Sequence, residues 1–483
     1  MARPAVDRVG RRPGRESHPD RPAPLTGPHW RECRRDTSPR CENRPVTSND
    51  DASERGHPAP PGTQKVAEST SSTTSELFFD LVFVFAFVQV TTLVTNEFTV
   101  HGIVNGLLVL AILWWAWSIS VWVANRVRAD FGLTRAAVLA VTAVLFLLAI
   151  STRDAFEDEP GGVKGPLVFA TCYVAVRVFM LALRWYALPE MTVQDLVVLT
   201  LPLLGGGSLL FGAALVPHRV FDIEWQANLA QTAFWGAAVI VDFGLGMALP
   251  ARRRVLSARH WAERHGLIVL VALGESIIAI GLSSLDVPIS WWLLWASALG
   301  LVVAAALEWL YFDVVALAGE QSLRRCPPVR RVDLARDGYT YLHLPMIAGI
   351  ILYAVGLKEV ITDAHGGTRA WTVDGLELYT LYGGVVLFLL THIAFQLRIT
   401  EILRTIIWPR LAAVVILVAL IPFTDGGHAL AALGQLAVCC VGLVVVEVIV
   451  ANGQREQLRE AILMHRATEE SGMGTGWSHP ADM

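Results

Sequence analysis

The chain has 483 residues, of which 53% are hydrophobic and only 17% charged, and its formal net charge is −4. A soluble domain usually carries about a quarter charged residues, and the mean hydropathy here is +0.47. These values exclude an ordinary water-soluble globule, and the mixed charge gives no reason to expect a nucleic-acid partner.

Residues 1–74 stand apart from the rest. They are rich in Arg, Pro, Ser, Asp and Glu, as in RVGRRPGRESHPDRPAPL, and lack apolar periodicity. Such a segment cannot bury enough surface to order itself and reads as a disordered cytoplasmic tail. It holds no apolar stretch of the signal-peptide kind. A basic tail resting on anionic lipid is the sharper alternative, but acidic residues are interleaved throughout.

Long uncharged apolar runs then recur to residue 450. A bilayer core about 30 Å thick needs roughly 20 helical residues to cross. A membrane β-barrel would instead alternate apolar and polar positions, and these runs do not. Twelve spans are predicted, at 76–96, 102–124, 133–152, 165–186, 195–216, 228–249, 264–284, 289–313, 338–357, 376–397, 405–423 and 428–450. Pro202 and the run Gly205-Gly206-Gly207 are expected to interrupt the fifth. Residues 451–483 read as a second polar tail. Six cysteines, Cys33, Cys41, Cys172, Cys326, Cys439 and Cys440, show no framework spacing and are expected to be reduced.

Lys and Arg in the short loops set the orientation. One set of loops holds Arg126, Arg128, Arg135, Arg184, Arg252 to Arg254, Arg259 and Arg264. It continues with Arg324, Arg325, Arg330, Arg331, Arg336, Arg398, Arg404 and Arg410. The alternate loops hold Arg153, Lys164, Arg219, Lys358 and Arg369. The first set is therefore cytoplasmic, and an even number of spans puts both termini inside. The predicted home is a plasma membrane. Residues 75–250 and 251–450 each carry six spans and share features: spans one and seven each open with a Glu and carry a polar residue further on, Gln89 or Glu275. Two parallel six-helix repeats are expected, an arrangement common in transporters with the site at the repeat interface.

Ionisable residues inside spans are costly and point to function. Glu275 is placed near the midplane of span seven, and Arg177 near that of span four. They are either a buried structural pair or an ion or proton site. Asp80 follows Glu76 by one helical turn, where the helix dipole alone also favours an acid. Asp242 lies in span six and Glu308 in span eight, with Asp313 nearer its end. His343 opens span nine and His392 closes span ten. For both histidines an interhelical hydrogen bond is favoured over a ligand role. Glu447 is read as snorkelling. Asp80, Asp242, Glu308, His343 and His392 fall in the cytoplasmic half, which predicts a polar cavity open there and closed outside. The excess of carboxylates favours a cation or proton. Phosphate-binding loops, dinucleotide fingerprints and H-E-x-x-H are absent, and no cofactor or metal is expected.

Five ordered stretches carry a resemblance. They are SELFFDLVFVFAFVQV (Ser75 to Val90), WWAWSISVWVANR (Trp114 to Arg126), HWAERHGLIVLVALGESIIAIG (His260 to Gly281), EWLYFD (Glu308 to Asp313) and HLPMIAGII (His343 to Ile351). Together they resemble the bacterial low temperature requirement A (LtrA) family across about residues 75–450. The resemblance implies a multi-spanning membrane protein linked by name to low-temperature growth. It raises Phe79, Asp80, Glu263, Gly274, Glu275 and Glu308. Phe78-Phe79-Asp80 is also similar to the Phe-Ser-Asp motif of two-repeat endolysosomal potassium channels. That likeness implies a pore lined by spans one and seven, although span seven lacks the Phe and Asp.

The leading reading is a secondary transporter or channel for a small solute or cation, with Glu275 central, Asp80 and Glu308 at the cytoplasmic mouth and Arg177 as counter-charge. The expected partners are the lipid bilayer, the solute and a second copy of the chain. An enzyme is less favoured. The alternatives are a membrane-embedded enzyme acting on lipid through His343, His392 and Asp242, and a non-catalytic sensor or scaffold.

Overall fold

The computed structural model describes residues 71–474, apart from 159, 189–190, 249–253, 286, 364–371, 374 and 400–403. Nearly all of the expected N-terminal tail lies outside the described residues, as do Cys33 and Cys41. Within them twelve helices are long and apolar enough to cross a membrane. Their outer faces carry bare aliphatic side chains: Ile240 is 72% and Val438 74% exposed. Water would not tolerate that surface on so many helices, and lipid requires it. The protein is an all-α multi-pass membrane protein.

The first six helices are α1 (Thr74–Asn96), α2 (Val100–Ala124), α3 (Gly132–Ile150), α4 (Gly165–Ala187), α5 (Val193–Leu215) and α6 (Glu224–Ala248). The next three are α7 (Ala258–Ser283), α8 (Trp291–Arg325) and α9 (Pro328–Thr362). The last are α10 (Gly375–Ile399), α11 (Arg404–Thr424) and α12 (Ala429–Gly474). A single helical turn, Pro217–Val220, precedes α6. Two short strands, Thr372–Val373 and Gly427–His428, pair antiparallel beside the starts of α10 and α12. The free amides at helix starts find side-chain acceptors. Thr73 caps α1 in a reciprocal box with Glu76, and Ser257 caps α7 through the His260 amide at 3.1 Å.

Three boundaries depart from the sequence reading. The eighth and ninth helices are each 35 residues long, about 52 Å, which exceeds a bilayer core. Arginines 324, 325, 330, 331 and 336, assigned above to a loop, are helical. Each long helix contains a π-helical segment, Tyr311–Val315 in α8 and Ala335–Tyr341 in α9. His343 is the first residue of the second α-helical stretch of α9, as expected, but the helix itself begins earlier, at Pro328. Second, α5 runs unbroken through Pro202 and the three glycines. The glycines serve close approach: a Cβ on Gly206 would sit 2.7 Å from Asp242 Oδ2 on α6. Third, α12 continues well past residue 450, to Gly474.

The halves pack by the same pairs of helices. Contacts α1–α2, α1–α3, α2–α4, α2–α6, α3–α4, α4–α5 and α5–α6 have counterparts in α7–α8, α7–α9, α8–α10, α8–α12, α9–α10, α10–α11 and α11–α12. Between the halves, α1 packs along α7 and against α9. The tightest crossing is α9 on α10, where a Cβ on Gly384 would lie 2.6 Å from the Gly349 carbonyl oxygen. The backbones touch there, and no side chain fits. Gly384→Val is expected to cost about 1–3 kcal/mol or more through overpacking, read as a lower thermal unfolding midpoint in detergent. An unchanged midpoint would contradict the close crossing.

Candidate functional site

The α1–α7 contact is a seam of residues matched in register. His260 Nε2 lies 2.8 Å from Glu76 Oε1, and Arg264 Nη2 donates to Asp80 Oδ1 at 2.6 Å; both pairs are separated by 184 positions. The capping residues Thr73 and Ser257 keep the same offset, as do Thr91 and Glu275 further along. Trp117 Nε1 on α2 also donates to Asp80 Oδ1, at 2.8 Å. Arg264 Nη1 reaches Glu76 Oε1 at 3.5 Å, and both side chains are buried. Asn125 ties the seam to the chain before α7, accepting from the Leu256 amide and donating to the Ser257 carbonyl, each at 2.8 Å. Asp80 is thus a buried charge partner and more than an ornament of the helix terminus. Glu263 lies on the rim, bonded to Arg259 at 2.7 Å and the Ser72 amide at 3.1 Å.

Beyond the charges the seam turns apolar. Phe79, Phe83 and Phe87 form a ladder with ring centroids 5.9 and 6.1 Å apart. Past it lies Glu275, 1% exposed. It lies about 12 Å from the end of α7 at Ser283, within the apolar part of the helix. The Thr91 hydroxyl is within hydrogen-bonding reach of Glu275, and Lys358 of α9 within electrostatic range. Lys358 Nζ itself donates to Thr95 Oγ1 at 2.8 Å. Glu275 Oε2 has no hydrogen-bond partner among the described residues.

Arg177 is not the counter-charge of Glu275. Its Nη1 donates to Asp242 Oδ1 at 2.8 Å and to Tyr173 Oη at 2.6 Å. The Tyr173 hydroxyl bonds the other Asp242 oxygen, so α4 and α6 share a closed triad. A second triad stands in the other half. Arg410 of α11 donates to Glu447 Oε1 at 2.6 Å and Oε2 at 2.8 Å, and to Gln396 Oε1 at 3.0 Å. Glu447 is therefore a buried bidentate acceptor and does not snorkel. Its distance from the start of α12 equals that of Asp242 from the start of α6, although the arginines come from non-equivalent helices.

His392 Nδ1 lies 3.2 Å from Arg410 Nη1. His343 bonds Tyr311 Oη through Nε2 at 2.9 Å and the Gly338 carbonyl through Nδ1 at 3.0 Å. This is the interhelical hydrogen bond expected of it, and the π-helical segments supply both partners. The two histidines share an aromatic cluster with His265, whose ring centroid is 5.3 Å from that of His343. Asp242 is bonded elsewhere, so no described contact unites the proposed acid–base trio. Glu308 is half-buried on α8, and no described contact ties it to Asp80 or Glu275. No group of three or more metal-ligating side chains occurs among the described residues.

Two of the cavities among the described residues bear on these clusters. One of ≈ 70 Å³ lies between α2, α4, α5 and α6 near the arginine-rich end and is lined by Arg177. The other, ≈ 690 Å³ and polar, opens at the opposite end beside Asn96, Asn105, Arg153 and Asp154. Polar space is thus not confined to the arginine-rich half. Sequence reasoning passed over Arg264, Arg410 and Lys358 because each sits near a span end and was counted with the loops. Their closeness to apolar runs was the available signal.

These features define a polytopic membrane protein with a charged, in-register seam between its first and seventh helices. Residues 71–448 match the profile of the bacterial low temperature requirement A protein (LtrA) family, and the chain belongs to that family. The chain is also 29% identical over 334 residues to an uncharacterized protein of Rhizobium meliloti (strain 1021), a match covering 67% of this chain and 76% of the relative. No solved structure matches.

Breaking a buried ion pair by removing one partner typically costs about 3–5 kcal/mol. Arg410→Gln is expected to lose that much stability, and Arg410→Gln with Glu447→Gln to recover part of it. A double-mutant cycle of thermal unfolding measures the coupling. A coupling near zero would mean that water reaches the pair.

Proposed function

We propose that the protein is a secondary transporter or channel for a small cation, the proton included, that acts along the α1–α7 seam. The observation that carries this reading is Glu275. It is the one predicted deep carboxylate with no guanidinium partner, and it faces Thr91 across the seam with Oε2 unpartnered. A carboxylate so placed can take up and release a cation or proton with little rearrangement.

The two halves, 75–250 and 251–450, read as parallel repeats. A two-fold axis sets each residue near it opposite its own counterpart. The constant offset of 184 along the seam has that form, and so does the matched helix packing. Rocking of one half against the other across the seam would alternate access to Glu275. Phe83 and Phe87 act as the dry constriction between it and the charged mouth at Asp80. With Arg264, Arg410 and Lys358 set aside as buried or part-buried, arginine still concentrates at one end. By the charge rule that end is cytoplasmic, with both termini inside the bacterial plasma membrane.

One observation favours a second reading, a non-catalytic scaffold or sensor. The buried guanidiniums of Arg177, Arg264 and Arg410 all have carboxylate partners, as purely structural charges would. Flux of H⁺, K⁺ and Na⁺ into proteoliposomes separates the two. The expected result is flux by the wild type and at least a tenfold loss in Glu275→Gln of unchanged thermal stability. Absence of flux in both, with Glu275→Gln clearly less stable, would favour the scaffold.

A further inference from the structure

The cavity between α2, α4, α5 and α6 plays no part in the seam, yet its wall is chemically one-sided. Trp115, Ser118 and Thr340 line it and are 5%, 2% and 1% exposed. The Trp115 Nε1, Ser118 Oγ and Thr340 Oγ1 atoms are buried with no hydrogen-bond partner. An unsatisfied buried polar group is costly, and such groups are rare in folded proteins. Three around one cavity call for an explanation within it. Arg177 adds a fourth donor. Its described hydrogen bonds all use Nη1, which leaves Nε and Nη2 for an occupant. Arg184 also lines the space, and no carboxylate is among its described lining residues. Every polar group named is an N–H or O–H donor, two of them hydroxyls that also accept.

The remainder of the wall is apolar, with Met180, Leu199, Pro202 and Leu245 among it. Asp242 stands behind Arg177 and offsets its charge. The wall therefore offers several donors and, beyond the paired Arg177, only the one further guanidinium of Arg184, which suits a single anionic oxygen group and not a polyanion. The volume of ≈ 70 Å³ holds such a group but not a whole lipid.

We propose that this cavity binds one anionic oxygen group, a phosphate or carboxylate, carried on an apolar body that extends between the helices. Basic pockets between membrane helices take lipid headgroups by the same chemistry, and a free amphipathic acid presents it equally. The site is independent of Glu275 and stands or falls apart from the transport reading.

The test uses the full chain in detergent and follows the thermal unfolding midpoint with added dodecyl phosphate, dodecanoate, phosphatidylglycerol or uncharged dodecanol. The expected result is a saturable rise with anionic probes and none with dodecanol. Response to a single-chain acid indicates a free amphipathic ligand; response to phosphatidylglycerol alone indicates a membrane lipid. Ser118→Ala with Thr340→Val is expected to weaken probe binding about tenfold, the loss of two modest hydrogen bonds. Because those hydroxyls have no internal partner, the ligand-free double variant should be at least as stable as the wild type. Ser118→Leu, which fills the space, should abolish the response. The proposal is overturned if no anionic probe stabilises the protein, if dodecanol stabilises it equally, or if the double variant binds like the wild type. A double variant that is less stable without ligand would also overturn it, because the hydroxyls would then have partners inside the protein.

Discussion

A guanidinium held in a bilayer must find a carboxylate, and this requirement organises the molecule. Arg264 clamps α7 to α1 through Asp80, Arg177 clamps α4 to α6 through Asp242, and Arg410 clamps α11 to α12 through Glu447. The desolvation cost of each charge is large, and an ion pair offsets it only when further hydrogen bonds complete the site. Each site has them: Trp117 on Asp80, Tyr173 on Asp242, Gln396 on Arg410. In lipid, where apolar contact between helices gains little over contact with acyl chains, such polar ties specify which helices meet.

Close backbone approach is the second constraint, and it depends on the first. Asp242 reaches Arg177 across a surface that Gly206 keeps bare. The π-helical segments act in a related way. An extra residue in a turn shifts the side chains that follow it, and here His343, after the segment in α9, meets Tyr311, which opens the segment in α8. The long α8 and α9 helices accommodate these segments without breaking.

The seam differs from the other charged clusters in its ends. At the arginine-rich end each charge meets an opposite charge, although Asp80 Oδ2 and Arg264 Nε make no hydrogen bond among the described residues. At the other end Glu275 faces a threonine and a distant ammonium. Between them stand Phe83 and Phe87, too apolar to share charge. A fixed pair at one end and an unfixed acid at the other give the seam a polarity that the Arg177 and Arg410 triads lack.

The sequence by itself determined the membrane-spanning class, the twelve helices and the family, because each rests on local composition: a bilayer needs long apolar runs, and helices alone satisfy their own backbone there. It also singled out Asp242, Glu275, Arg177, His343 and His392 as ionisable groups inside spans, and all are buried, whereas Glu308, singled out with them, is only half-buried and Asp80 could equally have been a helix-terminus acid. Pairing was not legible. Arg177 was matched with Glu275 because both lie at similar depth, whereas Asp242 is the partner. Arg264 and Arg410 looked like loop residues until neighbouring helices covered them, and α5 looked broken until α6 filled its glycine face. Depth along one helix is a property of the chain. Which helices adjoin, and therefore which charge meets which, is decided only by the packing of all twelve.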